Sequence, residues 1–161
     1  MRALATRSLV YLGDYEPCIS ALNDPKEKLS WPAYMEELRA AVTRSPESAA
    51  KIRSTFEKQR GTDAPFLYRM LWGYSLADLK NGADKDLVDA LDKDSLDYRV
   101  MGFWNLQNIT GSAHHGYRPE DMANKRRTPY NAWKEKLRQK KIVPQGTSAA
   151  SKGKAAASKG G

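Results

Sequence analysis

LDYRVMGFWNLQNI, residues 96–109, is the most apolar segment of the chain. Val100, Phe103 and Leu106 recur every three residues in it, and this spacing is typical of one face of an α-helix. Gly111 follows the segment, and glycine commonly ends helices because it adopts the left-handed backbone conformation. The stretch therefore predicts an apolar helix that must be covered by the rest of the chain.

The flanking sequence repeats one pattern, a short amphipathic segment followed by a break. Ser45-Pro46 and Thr128-Pro129 are typical helix starts, because a hydroxyl caps the free amides and proline suits the first turn. Further helices are predicted over residues 2–12, 16–23, 31–44, 46–60, 64–72, 84–91 and 130–141. No segment shows sustained alternation of period two. The sequence predicts an all-α fold of short antiparallel helix pairs.

The charge of the chain is concentrated at one end. The 161 residues carry 27 Lys and Arg against 19 Asp and Glu, a formal net charge of +8. Residues 1–117 contribute −1 and residues 118–161 contribute +9. Such asymmetry is found in tails that bind nucleic acid or anionic membranes, and also in plain solvated helix faces.

The two ends carry no targeting or membrane signal. Arg7 interrupts the apolar N-terminal residues, and no stretch approaches the roughly 18 apolar residues of a membrane span. We expect a cytoplasmic protein without a membrane span. The last residues lack aromatic and branched aliphatic side chains, so burial cannot offset the entropy of ordering them. A helical domain over residues 1–141 and a disordered basic tail over residues 142–161 are predicted.

The chain contains a weak internal repeat. A shift of 97 residues places Arg2-Ala3-Leu4-Ala5 over Arg99-Val100-Met101-Gly102, and a glycine follows each segment. The small residue of each unit would let a neighbouring helix approach closely, with the arginine at the rim. A short helix, an acidic turn and an apolar helix form the unit.

This unit resembles a HEAT-type helical repeat. Thr110-Gly111, the turn Gly116-Tyr117-Arg118-Pro119 and Trp133 resemble the closing segment of helical-repeat domains in uncharacterised bacterial HEAT-repeat proteins. The resemblance covers about residues 84–141 well and the first 60 residues loosely. It implies an α-solenoid of HEAT or ARM type, a scaffold without chemistry of its own. Since no capping helix precedes residue 2, we expect the chain to be the C-terminal part of a longer solenoid, or to begin at an internal start.

The residues that most often carry chemistry form no reactive set here. His114-His115 have no neighbouring cysteine or carboxylate and predict a polar turn. Cys18, the single cysteine, excludes an internal disulfide and is expected to be buried and structural. Six aspartates over residues 84–97 lack the glycine and glutamate of a calcium loop and predict helix caps and a solvated face. We predict no catalytic residue, metal ligand or cofactor.

The four tryptophans lie on or near apolar helix stripes. We expect Trp72, Trp104 and Trp133 in the core, and Trp31, which precedes Pro32, to be exposed.

Basic residues near the C-terminus are the candidate contacts for a polyanion. They are Lys125, Arg126, Arg127, Lys134, Lys136, Arg138, Lys140 and Lys141. Phosphate backbones favour such clusters, but no base-reading motif accompanies this one, so any nucleic-acid binding would be nonspecific.

Two functions follow from these observations. The first is a non-catalytic interaction or structural scaffold, whose partner is another protein or the rest of a longer parent chain. The alternative is nonspecific binding of nucleic acid or an anionic surface through the basic residues.

Overall fold

Helices and short turns form the regular structure of the computed structural model, which describes residues 2–111 and 115–146. These residues contain no β-strand, so the predicted all-α class is confirmed. No helix among them is both long and apolar enough to cross a membrane. The α-helices are α1 (Arg2–Tyr11), α2 (Glu16–Ala21), α3 (Trp31–Arg44), α4 (Pro46–Arg60), α5 (Ala64–Arg69), α6 (Leu76–Asp78), α7 (Asp84–Ala90), α8 (Leu96–Thr110) and α9 (Ala123–Arg138).

The last helix begins earlier than its sequence predicts. α9 starts at Ala123, and Pro129 lies inside it instead of in its first turn. An internal proline removes one backbone hydrogen bond and crowds the preceding turn. Arg126, Pro129 and Trp133 are all buried on the same side of α9. Tertiary burial therefore outweighs the local signal of Thr128-Pro129.

The predicted apolar helix packs against three others. α8 contacts α3, α5 and α7, and its side chains Met101 and Leu106 are fully buried. Tyr34 and Leu38 of α3 belong to the same continuous core. Gly111 ends α8 in the left-handed conformation, with φ of 58°. The sequence prediction for this helix is confirmed.

Gly102 lets α7 lie directly on α8. A Cβ atom at this position would come within 2.9 Å of the Ala90 Cβ and 3.2 Å of the Leu87 carbonyl oxygen. Real Cβ contacts are rarely so short, and the carbonyl belongs to the backbone of α7 and cannot rotate away. The close helix approach expected from the small residue of the repeat unit is therefore present.

A buried ion pair joins the end of α4 to the start of α8. Arg60 Nε lies 2.8 Å from Asp97 Oδ2, and Arg60 Nη2 donates to Ser95 Oγ at 2.9 Å. Asp97 is 3% exposed, and burial raises the pKa of its carboxyl although Arg60 opposes the shift. Asp97 is thus a buried partner of Arg60 and not part of the predicted solvated aspartate face.

Packing continues past the predicted domain boundary at residue 141. Ile142 is buried in the core, and the backbone amide of Gln145 donates to the carbonyl of Ile109 at 3.1 Å. The first residues of the predicted tail therefore lie against the end of α8. Residues 147–161 of that tail lie outside the described part of the chain.

Gly102→Ala should destabilise the fold. The added methyl gains about 1 kcal/mol of helix propensity, but overpacking against Ala90 and Leu87 costs about 1–3 kcal/mol. Urea unfolding should show a lower midpoint with an unchanged slope. A variant as stable as the parent would contradict the close contact of α7 with α8.

Candidate functional site

A groove of about 400 Å³ lies where three separate parts of the chain meet. Residues 28–32 form one side, α8 forms the second and residues 117–120 form the third. We call it the aromatic groove. Its lining residues are Lys28, Leu29, Trp31, Pro32, Val100, Phe103, Trp104, Gln107, Tyr117, Arg118, Pro119 and Glu120.

One face of α8 forms the central wall of the aromatic groove. Val100, Phe103, Trp104 and Gln107 are spaced by three and four residues, so they lie on the same side of the helix. Val100 is buried, whereas the two aromatic residues and Gln107 are half-buried. The residues that made this segment the most apolar of the chain thus also supply its partly open aromatic surface.

The floor of the groove presents ring carbons and hides its polar atoms. Trp31 Nε1 donates to the carbonyl of Ala21 at 2.9 Å, and Tyr117 Oη donates to the carbonyl of Leu91 at 2.5 Å. Both side chains are buried. Because their hydrogen-bonding groups are already used, these two rings offer a ligand apolar contact only.

Arg99 holds the third side of the groove in place. Its Nε donates to the carbonyl of Pro119 at 2.8 Å, and its Nη1 donates to the carbonyls of Lys93 and Asp94 at 2.6 Å each. Burial, helped by the nearby Arg126, lowers the pKa of this guanidinium. The expected place of this arginine at the rim is wrong, because its donors are consumed by backbone carbonyls inside the protein.

Charged side chains surround the mouth of the groove. Lys28 Nζ lies 3.3 Å from Glu120 Oε1, so these two charges compensate each other. Arg118 is exposed and forms no ion pair with the carboxylates of the described residues. The Arg39 guanidinium lies over the ring of Trp104, 5.5 Å from its centroid.

Gly73 makes room for Arg39 at this position. Its φ is 72°, and a Cβ built there would overlap the Arg39 guanidinium. Glycine is therefore needed at residue 73 for two reasons, the left-handed backbone and the space that Arg39 occupies.

The rim also carries exposed apolar surface. Leu29 is 92% exposed, and Pro32 is exposed beside it. A single exposed leucine is ordinary, but here it continues the apolar surface of the groove.

The tryptophans are distributed differently from the sequence prediction. Trp133 is fully buried as expected, and Trp104 is half-buried in the groove. Trp72 is 46% exposed and Trp31 is buried, so both of those predictions are wrong. Trp31 is buried because it opens α3 directly over the end of α2, where Ala21 accepts its indole proton. Trp72 follows the end of α5 and projects from the core next to Tyr68.

The predicted basic residues divide into an exposed set and a set bound within the fold. The exposed basic set, which lies on the surface without an ion pair to the described carboxylates, consists of Lys125, Arg127, Lys134, Lys140 and Lys141. The Lys136 ammonium lies 5.2 Å from the Trp133 ring centroid, and Arg138 is paired with Glu135 through Nη2 and Oε1 at 2.6 Å. Arg126 is 7% exposed and donates to the carbonyl of Asp121 at 2.6 Å. None of the eight lines the aromatic groove.

The remaining chemistry-bearing residues are structural in the described chain. Cys18 is buried, and burial raises the pKa of its thiol to about 12. The ring of His115 packs edge-on against Trp133 at 5.3 Å between centroids, and His114 lies outside the described residues. Within residues 2–111 and 115–146, no group of three His, Cys, Asp or Glu side chains is arranged to hold a metal ion.

Comparison of the chain with protein-family models, with curated proteins and with solved structures gave no match.

Iodide quenching should separate the tryptophans by their burial. Trp72→Phe should remove most of the quencher-accessible emission, because this indole is the most exposed of the four. Trp133→Phe is the matched control and should leave the accessible fraction higher than in the parent, because it removes a buried emitter. Equal quenching of the two variants would contradict the burial described for Trp72 and Trp133.

Proposed function

We propose that the chain is a non-catalytic protein-interaction module built from HEAT-like helix pairs, and that its aromatic groove receives a segment of another protein. The observation that carries this proposal is the groove itself. It presents hydrocarbon faces of Trp31, Phe103 and Trp104 beside a leucine that is 92% exposed. Concave apolar surfaces with a few polar groups at the edge are the usual form of binding sites.

Two features support the HEAT-like arrangement. α3 and α4 are joined through Ser45 alone, which caps α4 by accepting from the Ser48 amide at 3.1 Å, and the two helices pack as a hairpin. α7 packs closely on α8 through Gly102. Consecutive helix pairs of this kind are the building units of α-solenoids, which bind partner segments between neighbouring helices.

Filling the groove tests the proposal. Peptides selected from a random display library on the parent protein should bind it in isothermal titration calorimetry. Gln107→Trp places an indole into the groove from its rim and should weaken binding by at least about tenfold.

Gln139→Trp, at an exposed position after α9, is the matched control and should bind like the parent. Circular dichroism should show that both variants fold. Selected peptides that bind Gln107→Trp as tightly as the parent, or a selection that enriches none, would overturn the proposal.

The second candidate function is nonspecific binding of a polyanion by the exposed basic set. The observation that favours it is that five of the predicted residues are exposed and unpaired, two of them, Lys140 and Lys141, just beyond the end of α9. Against it, Arg126, Lys136 and Arg138 contact other groups of the protein. Phosphate contacts release counterions, so such binding depends steeply on salt.

A mobility assay with single-stranded DNA across a salt series tests this function. Replacing the exposed basic set with glutamine should lower the affinity and flatten the salt dependence, by roughly 0.7 log units for each phosphate that the protein no longer neutralises. A control variant with Lys51→Gln and Lys58→Gln, both on the exposed surface of α4, should retain the parent slope. Absence of binding at low salt, or equal slopes for all three proteins, would eliminate the polyanion function.

A further inference from the structure

We infer that the aromatic groove selects an acidic segment of a partner protein, one that carries a leucine or aromatic anchor between its acidic residues. This inference rests on the proposed function and adds the chemical class of the partner. It follows from the groove's floor and from the charges at its mouth.

The floor requires an apolar anchor. The polar atoms of Trp31 and Tyr117 are satisfied by the carbonyls of Ala21 and Leu91. Val100 and Pro119 complete the buried lining. A polar side chain placed there would lose its water without gaining a hydrogen bond, whereas a leucine or phenylalanine side chain would bury apolar surface.

The mouth has an uncompensated positive charge. Lys28 and Glu120 neutralise each other across 3.3 Å. Arg118 on the rim and Arg39 over Trp104 remain, and neither is paired with a carboxylate of the described residues. Basic side chains of a bound segment would be repelled there, and acidic ones would be attracted.

The same charges argue against the chain's own tail as the occupant. Residues 147–161 carry three lysines and no acidic residue. Nucleic acid is also anionic and could stack on aromatic rings, but the groove adds Leu29, Pro32 and Val100 to its rings. Aliphatic surface of this kind suits side chains better than stacked bases, and two arginines do not form the basic track that a phosphate backbone follows.

Three synthetic peptides with blocked ends test the inference. The probes are Asp-Asp-Leu-Phe-Asp-Asp, Lys-Lys-Leu-Phe-Lys-Lys and Asp-Asp-Gly-Ser-Asp-Asp, titrated against the full chain by calorimetry at low salt. The first should bind, the second should bind at least about tenfold more weakly because of repulsion, and the third should not bind because it lacks an anchor. Added salt should weaken the first peptide, since the charged contacts are partly exposed.

Charge reversal at the mouth provides the matched variants. The double variant Arg39→Glu with Arg118→Glu should reverse the preference between the first two peptides. Lys51→Glu with Lys58→Glu makes the same change of charge on the exposed surface of α4 and should leave the preference intact.

Each outcome separates the inference from the proposed function. Equal binding of the acidic and basic peptides, abolished in Gln107→Trp, would overturn the charge selection and leave the groove as a binding site. Failure of the acidic peptide to bind would overturn the inference, while peptides selected by display still decide the proposed function independently. Tighter binding of a ten-residue oligothymidine than of the acidic peptide, abolished by charge reversal, would assign the groove to nucleic acid instead.

Discussion

The buried guanidinium of Arg99 is the interaction on which the groove depends. It donates to the carbonyls of Lys93, Asp94 and Pro119, and so ties the turn before α8 and the segment after α8 to the helix itself. Placing a charged group in the interior is costly unless its donors are satisfied. Here the backbone supplies the acceptors, so the position of residues 117–120 is set by the hydrogen-bonding needs of one side chain.

Much of the helical pattern follows from local sequence. The spacing of Val100, Phe103 and Leu106 predicts α8, and Ser45-Pro46 predicts the start of α4 where the structure has it. The same kind of signal at Thr128-Pro129 is wrong, because burial of Arg126 and Trp133 extends α9 through the proline. Local rules succeed where packing agrees with them and fail where it does not.

The candidate site is less accessible from the sequence. The face of α8 that includes Trp104 and Gln107 can be found from helical spacing, but its other walls come from positions far apart in the chain. Lys28 and Glu120, for example, meet across 92 residues of sequence. Net charge favours the basic C-terminal residues instead. It does not reveal that Arg126 is enclosed, because a composition does not distinguish a solvated arginine from one bound to a carbonyl.

The construction of the groove from distant segments links ligand binding to folding. Residues 28–32, the wall of α8 and residues 117–120 lie together only in the folded chain, so an occupant would bind the native state and ignore the unfolded one. By thermodynamic linkage, a ligand at 100 times its dissociation constant adds about 2.7 kcal/mol to the free energy of unfolding. Occupancy would thus also protect the chain from proteolysis, which acts on its opened forms.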